Sequence, residues 1–231
     1  MILKSFDLKE LPKNYLTTQI SCLFNGFKGS SLAPDLWVQK ENGNLGAVIL
    51  GYGQTAYISY FGGDESELFA FLSALSFKNI LTDKKFSFLR ILKTNSVFKK
   101  DCNKDACDLP EIPSLANIYR ALSFGKSEDV SLPDFETFAP DTSHLLRHGF
   151  AFSVLSDFGG ALVHFDCGAG ILKGISVKEE SRGLGLGTSL LNSCLKYCPK
   201  GLYAATANSG NFYLKNGFLK EPYLIYFGEL K

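Results

Sequence analysis

Residues Ser181–Cys194 read SRGLGLGTSLLNSC: an arginine, then glycines at 183, 185 and 187, then a run that reads as a helix. Glycine reaches backbone conformations closed to other residues and lets main chain approach a ligand closely. The first N–H groups of a helix lack internal partners, and the helix dipole adds positive potential there. With the guanidinium of Arg182, these donors predict a phosphate site. A plain flexible turn is the competing reading, but glycines at helical positions weaken a helix by about 1 kcal/mol each, which a mere connector would avoid.

Spacing decides which phosphate loop this is. A Walker A loop needs Lys followed by Ser or Thr after its last glycine; here Gly187 is followed by Thr188 and Ser189. A dinucleotide fingerprint, G-x-G-x-x-G, would place its third glycine at Thr188 and needs an acidic residue about 20 positions on. No Asp or Glu occurs between Ser181 and Lys220. A nucleotide-dependent oxidoreductase or ATPase is therefore disfavoured. The same interval carries Arg182, Lys196, Lys200, Lys215 and Lys220, a bias that suits a ligand with several phosphates.

Working outward, FAFSVLSD, ALVHFDC and ILKGISV read as strands joined by the turns FGG and GAG. After the loop and its helix, GLYAATAN is a strand, GNFYLKNG a short helix closed by Gly217, and PYLIYFGEL a last strand. Upstream, SLANIYRALSF reads as a helix capped by Ser114, and DTSHLLRHG as a short helix ended by Gly149. In the N-terminal part, GNLGAVILGYG and QTAYISYFGG are neighbouring strands. DESELFAFLSALSF is a helix with Asp64 as N-cap, Glu67 as capping-box partner, and Leu68, Phe71, Leu72 and Leu75 at helical spacing. Trp37 reads as a core or interface residue at a strand start. KKDCNKDACDLPEIP, from Lys99 to Pro113, has a linker's composition and sets a domain boundary near residue 105. The expected organisation is a smaller α/β domain over 1–105 and an α+β domain with a mixed sheet and flanking helices over 106–231.

The chain has 231 residues and a formal net charge of +1, which argues against wholesale nucleic-acid binding. The amino terminus lacks a signal-peptide pattern, and no segment approaches the roughly 18 apolar residues of a membrane span. No membrane partner and a cytoplasmic location are expected. The six cysteines then read as free thiols. Cys102 with Cys107, and Cys194 with Cys198, form no C-x-x-C pair, so no zinc site and no other metal is expected.

ISVKEESRGLGLGTSLL resembles the acyl-CoA signature of the GNAT superfamily of N-acetyltransferases, Q/R-x-x-G-x-G/A after a strand. NSGNFYLKNGF, Asn208 to Phe218, resembles the family's closing helix with its Tyr-x-x-x-Gly-Phe ending. The resemblance covers roughly residues 110–231, and the layout is similar to two-domain bacterial members with a degenerate GNAT-like first domain. It implies a GNAT acyl-CoA N-acyltransferase fold and an acyltransferase that moves an acetyl group from acetyl-CoA to a small-molecule or peptide amine. The pyrophosphate would sit on the backbone of Arg182, Gly183, Leu184, Gly185, Leu186, Gly187 and Thr188. The pantetheine would pair with Ile175, Ser176 and Val177 as an added strand, with Gly174 marking a bulge that splays this strand from its neighbour. Tyr213 would donate a proton to the departing thiolate, and Asn208 or Asn211 would contact the pantetheine.

The family's usual strand glutamate has no counterpart in ILKGISV. Glu179 and Glu180 in the following turn, His164 with Asp166 on the partner strand, and His144 with His148 one helical turn apart are the remaining candidates for the base. The His pair alternatively caps its helix end. The missing carboxylate also keeps open a non-catalytic acyl-CoA-binding regulatory module. The first domain would shape the acceptor pocket or pair subunits into a homodimer.

Overall fold

The computed structural model describes residues 1–5, 8, 11–102, 105, 107–125, 132–208 and 210–231. Asn103, Lys104 and Ala106 of the expected linker, residues 126–131 before the second helix of the C-terminal half, and Ser209 of the closing motif lie outside them. The chain divides into two compact units: Met1–Phe98 with Ala205–Asn211 and Lys220–Lys231, and Lys99–Ala204 with Phe212–Leu219. A single cut near 105 differs from this in one main respect. The last strand, read from sequence as closing the C-terminal sheet, groups with the first unit. Alternating apolar residues show that a segment pairs, and not with which neighbour.

The first unit contains β1 (Ile2–Lys4), α1 (Tyr15–Phe27), β2 (Asp35–Glu41), β3 (Asn44–Tyr52), β4 (Thr55–Tyr60), α2 (Glu65–Leu75), β5 (Asn79–Thr82) and most of β6 (Leu89–Lys100). Strands β1 to β4 pair antiparallel in chain order, and β5 lies parallel to β4. Asn42 and Gly43 both have positive φ, +50° and +81°. They form the two-residue connection between β2 and β3 that matches the twist of a hairpin. The core gathers Ile49, Ile58, Leu68, Leu72, Ile80 and Phe86, with Trp37 packed at its edge, edge-to-face on Phe71.

Asp64 caps α2, its carboxylate accepting from Ser66 N at 2.8 Å and Glu67 N at 3.2 Å. The expected capping box is not formed. Glu67 accepts instead from Ile2 N and from Gln39 Nε2, each at 2.8 Å, and these hydrogen bonds, Gln39's foremost, hold its carboxyl below the usual range. Long-range donors thus outcompete the local one. Asp64→Ala should lower stability by about 1 kcal/mol, read as a shift in the denaturation midpoint at unchanged slope.

The second unit begins with α3 (Leu115–Ser123) and α4 (Phe135–Arg147). Ser114 caps α3 through Asn117 N, as its sequence suggests. Helix α4 starts earlier than the short helix expected from Asp141: Asp134 accepts from Thr137 N at 2.7 Å, and Pro140 lies inside the helix. A proline there removes one hydrogen bond, the one to Glu136 in the first turn, which the buried face of Phe138, Thr142, Leu145 and Leu146 outweighs. Then follow β7 (Ala151–Ser156), β8 (Gly159–Asp166), β9 (Ala169–Val177), α5 (Leu186–Leu195), β10 (Leu202–Thr206) and α6 (Asn211–Lys215). Strands β7, β8 and β9 form an antiparallel meander, and β10 runs parallel to β9. The final strand, β11 (Leu219–Leu230), pairs antiparallel with β5.

The two units share a topology. β2–β3–β4–α2–β5 and β7–β8–β9–α5–β10 are each three antiparallel strands, a helix and a strand parallel to the third. Cys22, Cys102, Cys194 and Cys198 are buried free thiols, whereas Cys107 and Cys167 are exposed. Burial pushes the Cys194 thiol up to about 12. Among the described residues no group of three or more His, Cys, Asp or Glu is placed to hold a metal, and no helix is long and apolar enough to cross a membrane.

Candidate active site

The three glycines of the loop serve different purposes. Gly183 and Gly185 have φ of +80° and +78°, the left-handed region that favours glycine, and a Cβ on either would meet nothing within 4 Å. They shape the backbone and leave its outer side open. Gly187 has ordinary φ, but a Cβ there would lie 3.3 Å from the Phe212 ring, so it is small to admit a neighbour. Gly185 is the N-cap of α5 and provides no side-chain cap, and the first turn carries no acidic residue. The first amides of α5 are therefore left to whatever binds in front of them. Leu184 and Arg182 are exposed, and Leu186 and Thr188 half-buried, along the same entrance.

The guanidinium of Arg182 is bonded to main-chain carbonyls. Its Nε donates to Val177 O at 3.3 Å and one terminal nitrogen to Phe124 O at 3.2 Å, so the guanidinium ties the loop to the ends of β9 and α3. Two of the five cations, Lys196 and Lys200, lie away from the entrance of α5. Lys196 is the C-cap of the ten-residue α5, roughly 15 Å along the axis from its entrance. Lys200 packs against Gly168 at the start of β9, and Lys220 belongs to the first unit.

Strand β9 carries the bulge that Gly174 suggests. Leu162 pairs with Gly174 and Val163 with Leu172, leaving Lys173 as the extra residue. The pairing of β9 with β10 comprises Gly170↔Leu202 and Ile171↔Tyr203. Beyond Ile171, β9 has no β10 partner among the described residues, while Ile175, Ser176 and Val177 pair with β8 on the other side. Their free edge offers main-chain groups to an added strand. Ser176 is fixed from the helix side, its hydroxyl donating to Ala121 O at 2.7 Å.

Phe212 against Gly187 pins α6 to the entrance of α5, and Tyr213 is the next residue. Its ring lies 5.3 Å from Phe212, edge-on, and 5.6 Å from Phe218. Burial pushes its phenol up to about 12. Gly217, at φ +76°, ends the helix, and Lys100 Nζ donates to Asn216 O at 2.7 Å. The contribution of Lys100, more than a hundred positions away in sequence, has no local signal. Asn208 is exposed, donates through its N–H to Thr206 Oγ1 at 3.2 Å, and groups with the first unit. Asn211 opens α6 and is exposed.

The candidate bases separate. His164 pairs with Ile171 on β9, six positions and roughly 20 Å from Val177 at the loop end. Burial, with a smaller contribution from Lys173, holds its pKa well below the ordinary value, so it is neutral. Asp166 lies farther still in the same direction. The rings of His144 and His148 lie 4.4 Å apart, tilted by 38°, at the end of α4. Glu179 and Glu180 are exposed in a single 3-10 turn beside the loop.

The corresponding positions of the first unit are filled by its own side chains. Asp64 takes the amides at the entrance of α2. Asp83, just after β5, accepts from Tyr60 N at 2.9 Å and Ser59 Oγ at 2.7 Å, and β4 and β5 pair from Thr55↔Asn79 through Ile58↔Thr82. One copy is closed by carboxylates; the other presents open donors.

A meander opened at a bulge, followed by a glycine loop and an uncapped helix, leaves a free strand edge and open helix amides in the second unit. Residues 115–218 match the model of the acetyltransferase (GNAT) family. Among solved structures it is similar to a GCN5-related N-acetyltransferase from Sphaerobacter thermophilus, with 12% identity and a TM-score of 0.55 over 88% of this chain and 82% of that one. A GCN5-related N-acetyltransferase from Kribbella flavida gives 12% and 0.53 over 79% and 86%. A GNAT-family protein described as a putative acetyltransferase, from Novosphingobium aromaticivorans, gives 14% and 0.50 over 92% and 98%. At such identities the likeness shows the fold. No curated protein sequence matches.

Proposed function

We propose that the protein is an N-acetyltransferase that uses acetyl-CoA as donor and an amine as acceptor. The observation that carries this reading is the entrance of α5: Gly183 and Gly185 in left-handed conformation before a helix with no side-chain cap. The pyrophosphate rests on these amides, and the pantetheine lies along the free edge of Ile175–Val177. The unprotonated amine attacks the acetyl carbonyl, a β9 amide near the bulge stabilises the oxyanion, and the C–S bond breaks. Tyr213 gives its proton to the leaving thiolate and regains one from solvent, which also takes the proton lost by the amine. No metal enters any step.

The absence of a carboxylate in β9 favours a second reading, an acyl-CoA-binding module without turnover. Thiol release from acetyl-CoA across a panel of primary amines separates the two. Turnover above the hydrolysis background on at least one amine is expected; saturable binding with background release on every amine would leave only the module. The first unit, whose own anion positions are filled, serves in this account as a scaffold that holds no acyl-CoA.

A further inference from the structure

A cavity of about 630 Å³ lies between α3, the turn joining β7 to β8, and Lys178. Its walls include Ala121, Phe124 and Leu155, and its charged groups are Arg120, Lys178 and Asp157. Among the described residues these three form no ion pair with one another. Arg120 donates to Asn117 Oδ1 at 3.2 Å, and the Lys178 ammonium stands 5.4 Å from the centroid of the Phe124 ring. Two cationic side chains therefore line the same cavity as the apolar Phe124, Ala121 and Leu155.

The cavity is tied to the strand that carries the proposed donor. Ala121 accepts from Ser176 of β9, and Phe124 O accepts from Arg182 of the glycine loop. Its rim is fixed, because Lys178 N donates to Phe158 O at 2.8 Å and Ser156 Oγ to Gly159 O at 3.1 Å.

We infer that this cavity recognises the acceptor by a carboxylate, and that the substrate is a monocarboxylic amino acid. The inference rests on the acetyltransferase reading. Arg120 and Lys178 receive the carboxylate, Arg120 as a fork and Lys178 as a point charge. Phe124, Ala121 and Leu155 cover the carbon skeleton. Asp157, at the tip of the turn, repels a second carboxylate, so dicarboxylic amino acids and polyanions are disfavoured.

The test compares acceptors that differ in one group: leucine, 6-aminohexanoate, their decarboxylated amines, and glutamate, each assayed by thiol release from acetyl-CoA. One of the monocarboxylates should exceed its own decarboxylated amine in kcat/KM by at least tenfold, and glutamate should be poorer than it. In Arg120→Met and Lys178→Met that advantage should collapse while acetyl-CoA affinity stays within about twofold, which also certifies the fold. Equal use of amines with and without the carboxylate, or an advantage that survives both substitutions, would overturn the inference and leave the transferase standing. Acetyl-CoA binding with no turnover on any of these amines or on the wider panel would overturn both.

Discussion

Replacing Gly183 and Gly185 together by valine is expected to weaken acetyl-CoA binding by about 100-fold, measured by calorimetry. Both residues sit at φ near +80°, where a β-branched side chain is strained by roughly 1–2 kcal/mol. Space is not the obstacle, since a Cβ at either position meets nothing within 4 Å. The strain is relieved when the loop leaves the left-handed region, and the first amides of α5 then no longer converge. A loss of about 2.8 kcal/mol in binding corresponds to the hundredfold change. The global fold should persist, because α5 remains anchored by Leu190, Leu191, Cys194 and Leu195. Gly187→Ala should behave differently: its Cβ presses on Phe212, displacing α6 and Tyr213, and so lowers kcat more than affinity.

Tyr213→Phe is expected to lower kcat by about 100-fold, within the range for loss of a positioned acid, and to leave the acetyl-CoA dissociation constant within about threefold. The ring keeps its packing between Phe212 and Phe218, so what is lost is the hydroxyl. With the phenol pushed up to about 12 by burial, Tyr213 stays protonated across the whole working range. The sign of the pH dependence follows: the rate rises as the acceptor amine loses its proton and does not fall again through ionisation of Tyr213 below about pH 11. The variant should trace the same rising curve at a lower level. An alkaline limb near pH 10 that disappears in Tyr213→Phe would contradict this assignment.

Local grammar in the sequence was informative where the chemistry is local. Ser114 and Asp64 cap the helices they precede, Gly174 sits at a bulge, and the alternate glycines open α5. What failed was whatever depends on partners distant in sequence. Glu67 has the right spacing for a capping box, yet Ile2 and Gln39 claim it. The bonds of the Arg182 guanidinium to the carbonyls of Val177 and Phe124 likewise have no local signal. Lys196 and Lys200, in the same interval of sequence as the loop, lie at the far end of α5 and beside the start of β9. The helix read from Asp141 begins at Phe135, because a proline near the first turn removes a single hydrogen bond from a helix held by its buried face. The closure of the first unit was equally hidden, because Asp83 meets Tyr60 and Ser59 only once β5 lies beside β4.

Amide chemical shifts of the nitrogen-15-labelled protein, followed during an acetyl-CoA titration, interrogate the donors themselves. Saturable displacement of Gly183, Gly185, Leu186 and Gly187 resonances, with Ser66 and Glu67 unmoved, is the result expected from an open α5 and an α2 already occupied by Asp64. Unchanged shifts at the α5 entrance under saturating acetyl-CoA, or larger movement at Ser66 and Glu67, would contradict it.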